Sequence, residues 1–152
     1  MSSKTVQCGQ VLTLCAALLG GACTGFEPSA PSLPALAVRI DAPAVYRQWF
    51  EETERCSGLV SEFQTVEWYV VEGVDQFMVD GAPRVGMWQR SGGRSQIVIA
   101  GNYAGHEMVV RHELLHHLIG EEGHPKSLFE QRCQLTWESW YAGGPGAVAL
   151  AH

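Results

Sequence analysis

From Met108 to Ile119 apolar residues fall on nearly every side of a helical turn, while His112, Glu113 and His116 gather with Val109 in one arc. A helix that is apolar almost all round is a buried central helix, and Gly120 stands where a left-handed cap would end it. Asn102 or Gly105 is expected to begin it. Upstream, Ala44–Cys56 repeats with a helical period in which Val45, Trp49 and Cys56, with Tyr46, Phe50 and Thr53, supply a core-facing stripe. Asp41 and Pro43 mark its start and Gly58 its end. Between the two helices the period falls to two residues. Thr65–Val71 alternates as a strand, and Gln76–Val79 and Arg84–Gln89 flank Asp80-Gly81 like a hairpin. Ser91-Gly92-Gly93 then leads into a strand over Gln96–Ala100, and Lys126–Leu135 reads as a further helix carrying Cys133. The order predicts an α+β fold, a mainly antiparallel twisted sheet packed on an N-terminal helix and a central one.

The ends of the chain have a different character. In residues 1–22 Lys4 is the only charge, and Val11 to Ala22 form a short apolar run, the pattern of a secretory signal peptide. The small residues Gly20-Gly21-Ala22 before Cys23 resemble a bacterial lipobox, which implies lipidation of Cys23; cleavage of a simple signal peptide is the alternative. Residues 23–42 are rich in proline, alanine and serine and read as a tether, residues 43–141 as one small domain, and residues 142–152 as a flexible tail.

Composition narrows the choice of partners. Removing residues 1–22 takes away one positive charge and no acid, moving the formal net charge from −6 to −7. An acidic surface without a basic stripe argues against nucleic acid and against an anionic membrane, leaving membrane contact only through an N-terminal lipid. Of the five cysteines, Cys8 and Cys15 would leave with the signal and Cys23 would carry lipid. Cys56 and Cys133 remain, and in an oxidising compartment two remaining cysteines are most simply a disulfide. The other reading, two metal thiolates, lacks a C-x-x-C spacing.

His112-Glu113-Leu114-Leu115-His116 carries the chemistry. Residues four apart on a helix lie about 5–6 Å apart at Cβ, so His112 and His116 can both direct an imidazole nitrogen at one ion. Zinc takes histidine nitrogens at about 2.0–2.1 Å and, in catalytic sites, keeps one position open to water. Glu113 lies about 100° around the helix from His112 and about 60° from His116, within reach of that water.

On these three residues the chain resembles the zincin metallopeptidases, whose H-E-x-x-H helix supplies two zinc ligands and a general base. The resemblance implies a minimal zincin-like domain, zinc as cofactor, a peptide or protein substrate, and Glu113 as base and then proton donor. It also implies that Gln96–Ala100 offers an edge strand to an extended substrate. Ile119 and Glu122 stand where the metzincin branch has its glycine and third histidine. The third ligand is therefore expected at His124, between the turn Gly120–Gly123 and Pro125, with Glu138 and Glu122 as alternatives and Glu130 as a further gluzincin-like candidate. Tyr141 is expected in the core or at the lip of the site, with a hydroxyl for an oxyanion as its functional option. His106 is expected off the metal face, exposed or near the helix start, and His117 on the rim of the ligand arc, behind the ligands or at the surface and not itself a ligand. The resulting function is zinc-dependent hydrolysis of peptide bonds outside the cytoplasm. Its alternative is a non-catalytic envelope lipoprotein that keeps a zincin-like scaffold as a binding or assembly module.

Overall fold

The computed structural model describes residues 32–143 and Gly146. The expected signal peptide, the lipidated Cys23, the first part of the tether and most of the tail lie outside the described residues. Within them the architecture is α+β. A four-stranded sheet has the order β1 (Ala37–Ile40), β2 (Val66–Val71), β6 (Arg94–Ala100), β5 (Gly86–Ser91). The β1–β2 and β5–β6 pairings are antiparallel and β2–β6 is parallel. A separate hairpin joins β3 (Phe77–Val79) to β4 (Ala82–Arg84). Among the described residues no helix is long and apolar enough to cross a membrane.

Helix α1 spans Ala44–Ser57 and α2 spans Glu107–Ile119. In α1 the buried residues Tyr46, Trp49, Phe50, Thr53 and Ser57 recur at helical spacing, which sets one face against the sheet and α2. Val45, expected in that stripe, is exposed. Helix α2 is buried nearly all round, as its sequence implies, and ends at Gly120 in the left-handed conformation, with the Gly120 N–H donating to the His116 carbonyl. It begins later than expected. Gly101–Tyr103 forms a 3₁₀ turn, and the Asn102 amide donates to Asp75 Oδ1 at 2.8 Å instead of capping α2.

One sheet face packs Trp68, Ile97, Ile99 and Trp88 against Tyr46, Phe50, Val110, Leu114 and Leu115 of the two helices. The other is partly covered by Phe77 and Val79 of the β3–β4 hairpin, against Val98 and Ala100. Arg111, nearly buried on α2, joins the helices by donating to Glu107 at 2.6 Å, Glu52 at 3.3 Å and Thr53 at 3.3 Å. Cys56 and Cys133 form a disulfide across 77 residues of sequence.

Three further expectations need correction. Ala37–Ile40, inside the expected 23–42 tether, is strand β1, because its backbone pairs with Trp68–Val71. Gln96–Ala100 is not an edge: β6 is hydrogen-bonded on both sides, and the outer strand is β5. The expected helix over Lys126–Leu135 is a shorter π-helical segment, Ser127–Arg132, with Cys133 at its C-cap.

Candidate metal centre

His112 and His116 stand one turn apart on α2, and the turn after Gly120 brings His124 back over them. Their three Nε2 atoms form a triangle with sides of 3.0 Å (His112–His124), 3.2 Å (His116–His124) and 3.3 Å (His112–His116). Ligands arranged tetrahedrally about 2.0–2.1 Å from one ion stand roughly 3.3–3.4 Å apart, so the triangle is within a few tenths of an ångström of that spacing. The three residues can hold a metal ion.

The other ring nitrogens decide how the protons are arranged. His112 Nδ1 lies 2.7 Å from the Leu135 carbonyl and His116 Nδ1 lies 2.9 Å from the Glu121 carbonyl. A carbonyl only accepts, so each Nδ1 carries the hydrogen and each Nε2 presents a lone pair. Those two lone pairs meet at 3.3 Å with no hydrogen between them, an arrangement that a cation satisfies and a hydrogen bond does not. Burial pushes the His112 and His116 imidazoles down to about 4, outweighing the carbonyls that pull the other way. Burial also lowers His124, with the charge of Arg84 acting in the same direction. All three are therefore neutral at pH 7, the form that binds a metal.

Phe129, on the π-helical segment, supports the cluster from one side, its ring 4.8–4.9 Å from all three imidazoles. Trp88 of β5 stacks near His116 at 6.3 Å and donates to Ser95 Oγ at 3.0 Å. Ser95 Oγ in turn lies 2.7 Å from His117 Nδ1, which accounts for His117 as a buried structural residue facing the sheet.

Glu113 lines the same cleft, a space of about 630 Å³ between α2 and the stretch from Gln76 to Gln89. Its carboxyl is buried, which raises its pKa to about 8 against an opposing pull from Arg84. Gly86 borders it closely, and a Cβ at that position would stand 2.5 Å from Glu113 Oε1. No family model matches the chain, and no curated protein or solved structure matches it. The functional reading therefore rests on the site itself.

Of the alternatives for a third ligand, Glu122 lines the cleft but is not in the cluster, and Glu130 and Glu138 are exposed and line neither. Tyr141 is turned outward, stacked on Trp137 at 6.3 Å, and does not border the cleft, whereas Trp137 does. His106 is at the N-cap of α2, off the cluster as expected, with its Nδ1 buried. Sequence reasoning passed over Gly86, Arg84 and Phe129. Gly86 was open to detection, since a glycine within a strand pattern signals close approach of another group.

Proposed function

We propose that this chain is a minimal zincin-like zinc peptidase that acts outside the cytoplasm. The observation that carries the reading is the triangle of His112, His116 and His124 Nε2 atoms, two of them held with their lone pairs inward by backbone carbonyls. Three neutral imidazoles suit zinc, and three protein ligands leave a fourth position for water or substrate. Bound there, zinc would lower the pKa of a coordinated water toward about 7 and polarise a carbonyl.

The remaining roles fall to the chain's own groups. Glu113, one residue along α2 from His112 and facing the cleft, would be ionised by the charge of a bound zinc ion despite its burial, and would then take a proton from water and return it to the leaving amine. Strand β5 borders the cleft and is an end strand of the sheet among the described residues, which supports an extended peptide as substrate through added strand pairing. The Cys56–Cys133 bond supports an oxidising compartment, in keeping with export and an N-terminal lipid at Cys23.

The deciding experiment compares zinc-loaded wild type with Glu113→Gln on a broad peptide library. Zinc content should be equal, and hydrolysis should fall by at least about a hundredfold. A wild type that holds zinc yet cuts nothing that Glu113→Gln spares would instead be a metal-holding scaffold.

A further inference from the structure

We infer that Arg84 recognises a carboxylate of the substrate, presented by a free C-terminus or by an acidic side chain. The inference deepens the peptidase reading and rests on it for the kind of ligand, a peptide. Arg84 ends β4, is exposed, and borders the same cleft as the histidines and Glu113. Among the described residues it is the only lysine or arginine that does so. Among them, too, it forms no ion pair, as is true of Arg47, Arg55, Arg90, Lys126 and Arg132, which lie away from the cleft.

The surroundings make that cation conspicuous. The chain has a formal net charge of −6, and the other exposed ionisable groups lining the cleft are the acids Asp80 and Glu122 and the imidazole of His124. A guanidinium offers a planar fork that a carboxylate can meet with two hydrogen bonds. Gly86, which touches Glu113, is two residues further on across a bend at Val85, so Arg84 and the group expected to react border one cleft from adjoining positions of the chain. A peptide held in this cleft would bring a carboxylate to Arg84 while another part of it lies at the histidines.

Binding tests this directly. The zinc-loaded full chain carrying Glu113→Gln, which suppresses turnover, is titrated with N-acetylated alanine hexapeptides. One has a free C-terminal carboxylate, one is capped as the amide, and the rest are amide-capped with a single glutamate moved along the chain. At low salt at least one carboxylate-bearing peptide should bind about fivefold more tightly than the capped alanine peptide. Arg84→Gln should abolish that advantage, and Arg84→Lys should retain part of it. Preference confined to the free C-terminus identifies an end-cutting substrate; preference within the glutamate series identifies an internal acidic residue.

No carboxylate advantage, including no binding by any peptide, overturns the inference, as does an advantage that survives Arg84→Gln. Cleavage by wild type is scored separately. Preference without cleavage removes the peptidase reading and leaves Arg84 as a carboxylate site; cleavage without preference does the reverse.

Discussion

Gly86 lies against the carboxylate of Glu113: a Cβ at position 86 would stand 2.5 Å from Oε1, 2.9 Å from Cγ and 3.0 Å from Cδ. The first residue of β5 thus has to be small for α2 to keep its carboxyl where it is. Gly86→Ala should destabilise the domain by about 1–3 kcal/mol, the usual cost of overpacking. In a Glu113→Ala background, where the carboxylate is gone, the same change should be nearly neutral. Denaturant unfolding of the four proteins gives the coupling. Equal costs in both backgrounds would show that the contact does not govern the position.

The third ligand is open to a direct choice. His124→Ala should weaken zinc binding by more than about tenfold, because it removes one corner of the Nε2 triangle. Glu138→Ala and Glu122→Ala should leave affinity within about twofold, since neither side chain joins the cluster. Competition with a chromophoric chelator measures all three. Retained zinc after the His124 change, with loss after either glutamate change, would reassign the site.

Much of the scaffold can be read from periodicity, and the exceptions share a cause. Helices α1 and α2 announce themselves through their apolar spacing, and the Gly92-Gly93 turn joins β5 to β6 where the alternation places it. Strand β1 is hidden because Ala37–Ile40 follows Pro34 and acquires its identity from β2, about thirty residues away. Which strand is the edge is likewise a matter of long-range pairing, so the edge role that the zincin resemblance implies for Gln96–Ala100 has no local pattern to check it, and the sheet order gives that place to β5. At the site, His112 and His116 are fixed by helical spacing alone. The Leu135 and Glu121 carbonyls that orient them are backbone groups of unremarkable residues, and no side-chain pattern marks them.

The disulfide should matter to the metal as well as to the fold. Cys133 is two residues before Leu135, whose carbonyl holds His112 Nδ1, and between them Gln134 adopts a left-handed φ of 55° that an unconstrained chain would abandon. Reduction, or Cys56→Ser with Cys133→Ser, should lower stability by roughly 2–5 kcal/mol. Zinc affinity of the still-folded protein should also fall, by about tenfold, as the carbonyl loosens. An affinity unchanged by reduction at a temperature where the domain stays folded would separate the bond from the site.

Metal removal supplies the last prediction, and it has a sign that can be worked out. The ligands come from α2 and from the turn beyond it, so an ion holding all three ties the Gly120–Pro125 segment to the helix in the folded state alone. Ligand present at about a thousand times its dissociation constant stabilises by about 4 kcal/mol. For a domain of this size that corresponds to a melting temperature roughly 15–30 °C higher than with chelator. In the chelated protein, His112 and His116 have pKa values of about 4 because burial disfavours their charged forms, against an ordinary 6.5 once unfolded. Below pH 6.5 these two groups bind protons in the unfolded chain and not in the folded one, whereas Glu113, raised to about 8, does the opposite; with Glu113→Gln in place, stability should fall as pH is lowered from about 6.5 toward about 4. His112→Gln with His116→Gln should flatten that part of the profile. Melting curves of chelated Glu113→Gln protein from pH 7 to pH 4 test it: a stability that holds level or rises on acidification, or an added double histidine variant that loses as much as its parent, would mean that these imidazoles are not held neutral by their burial.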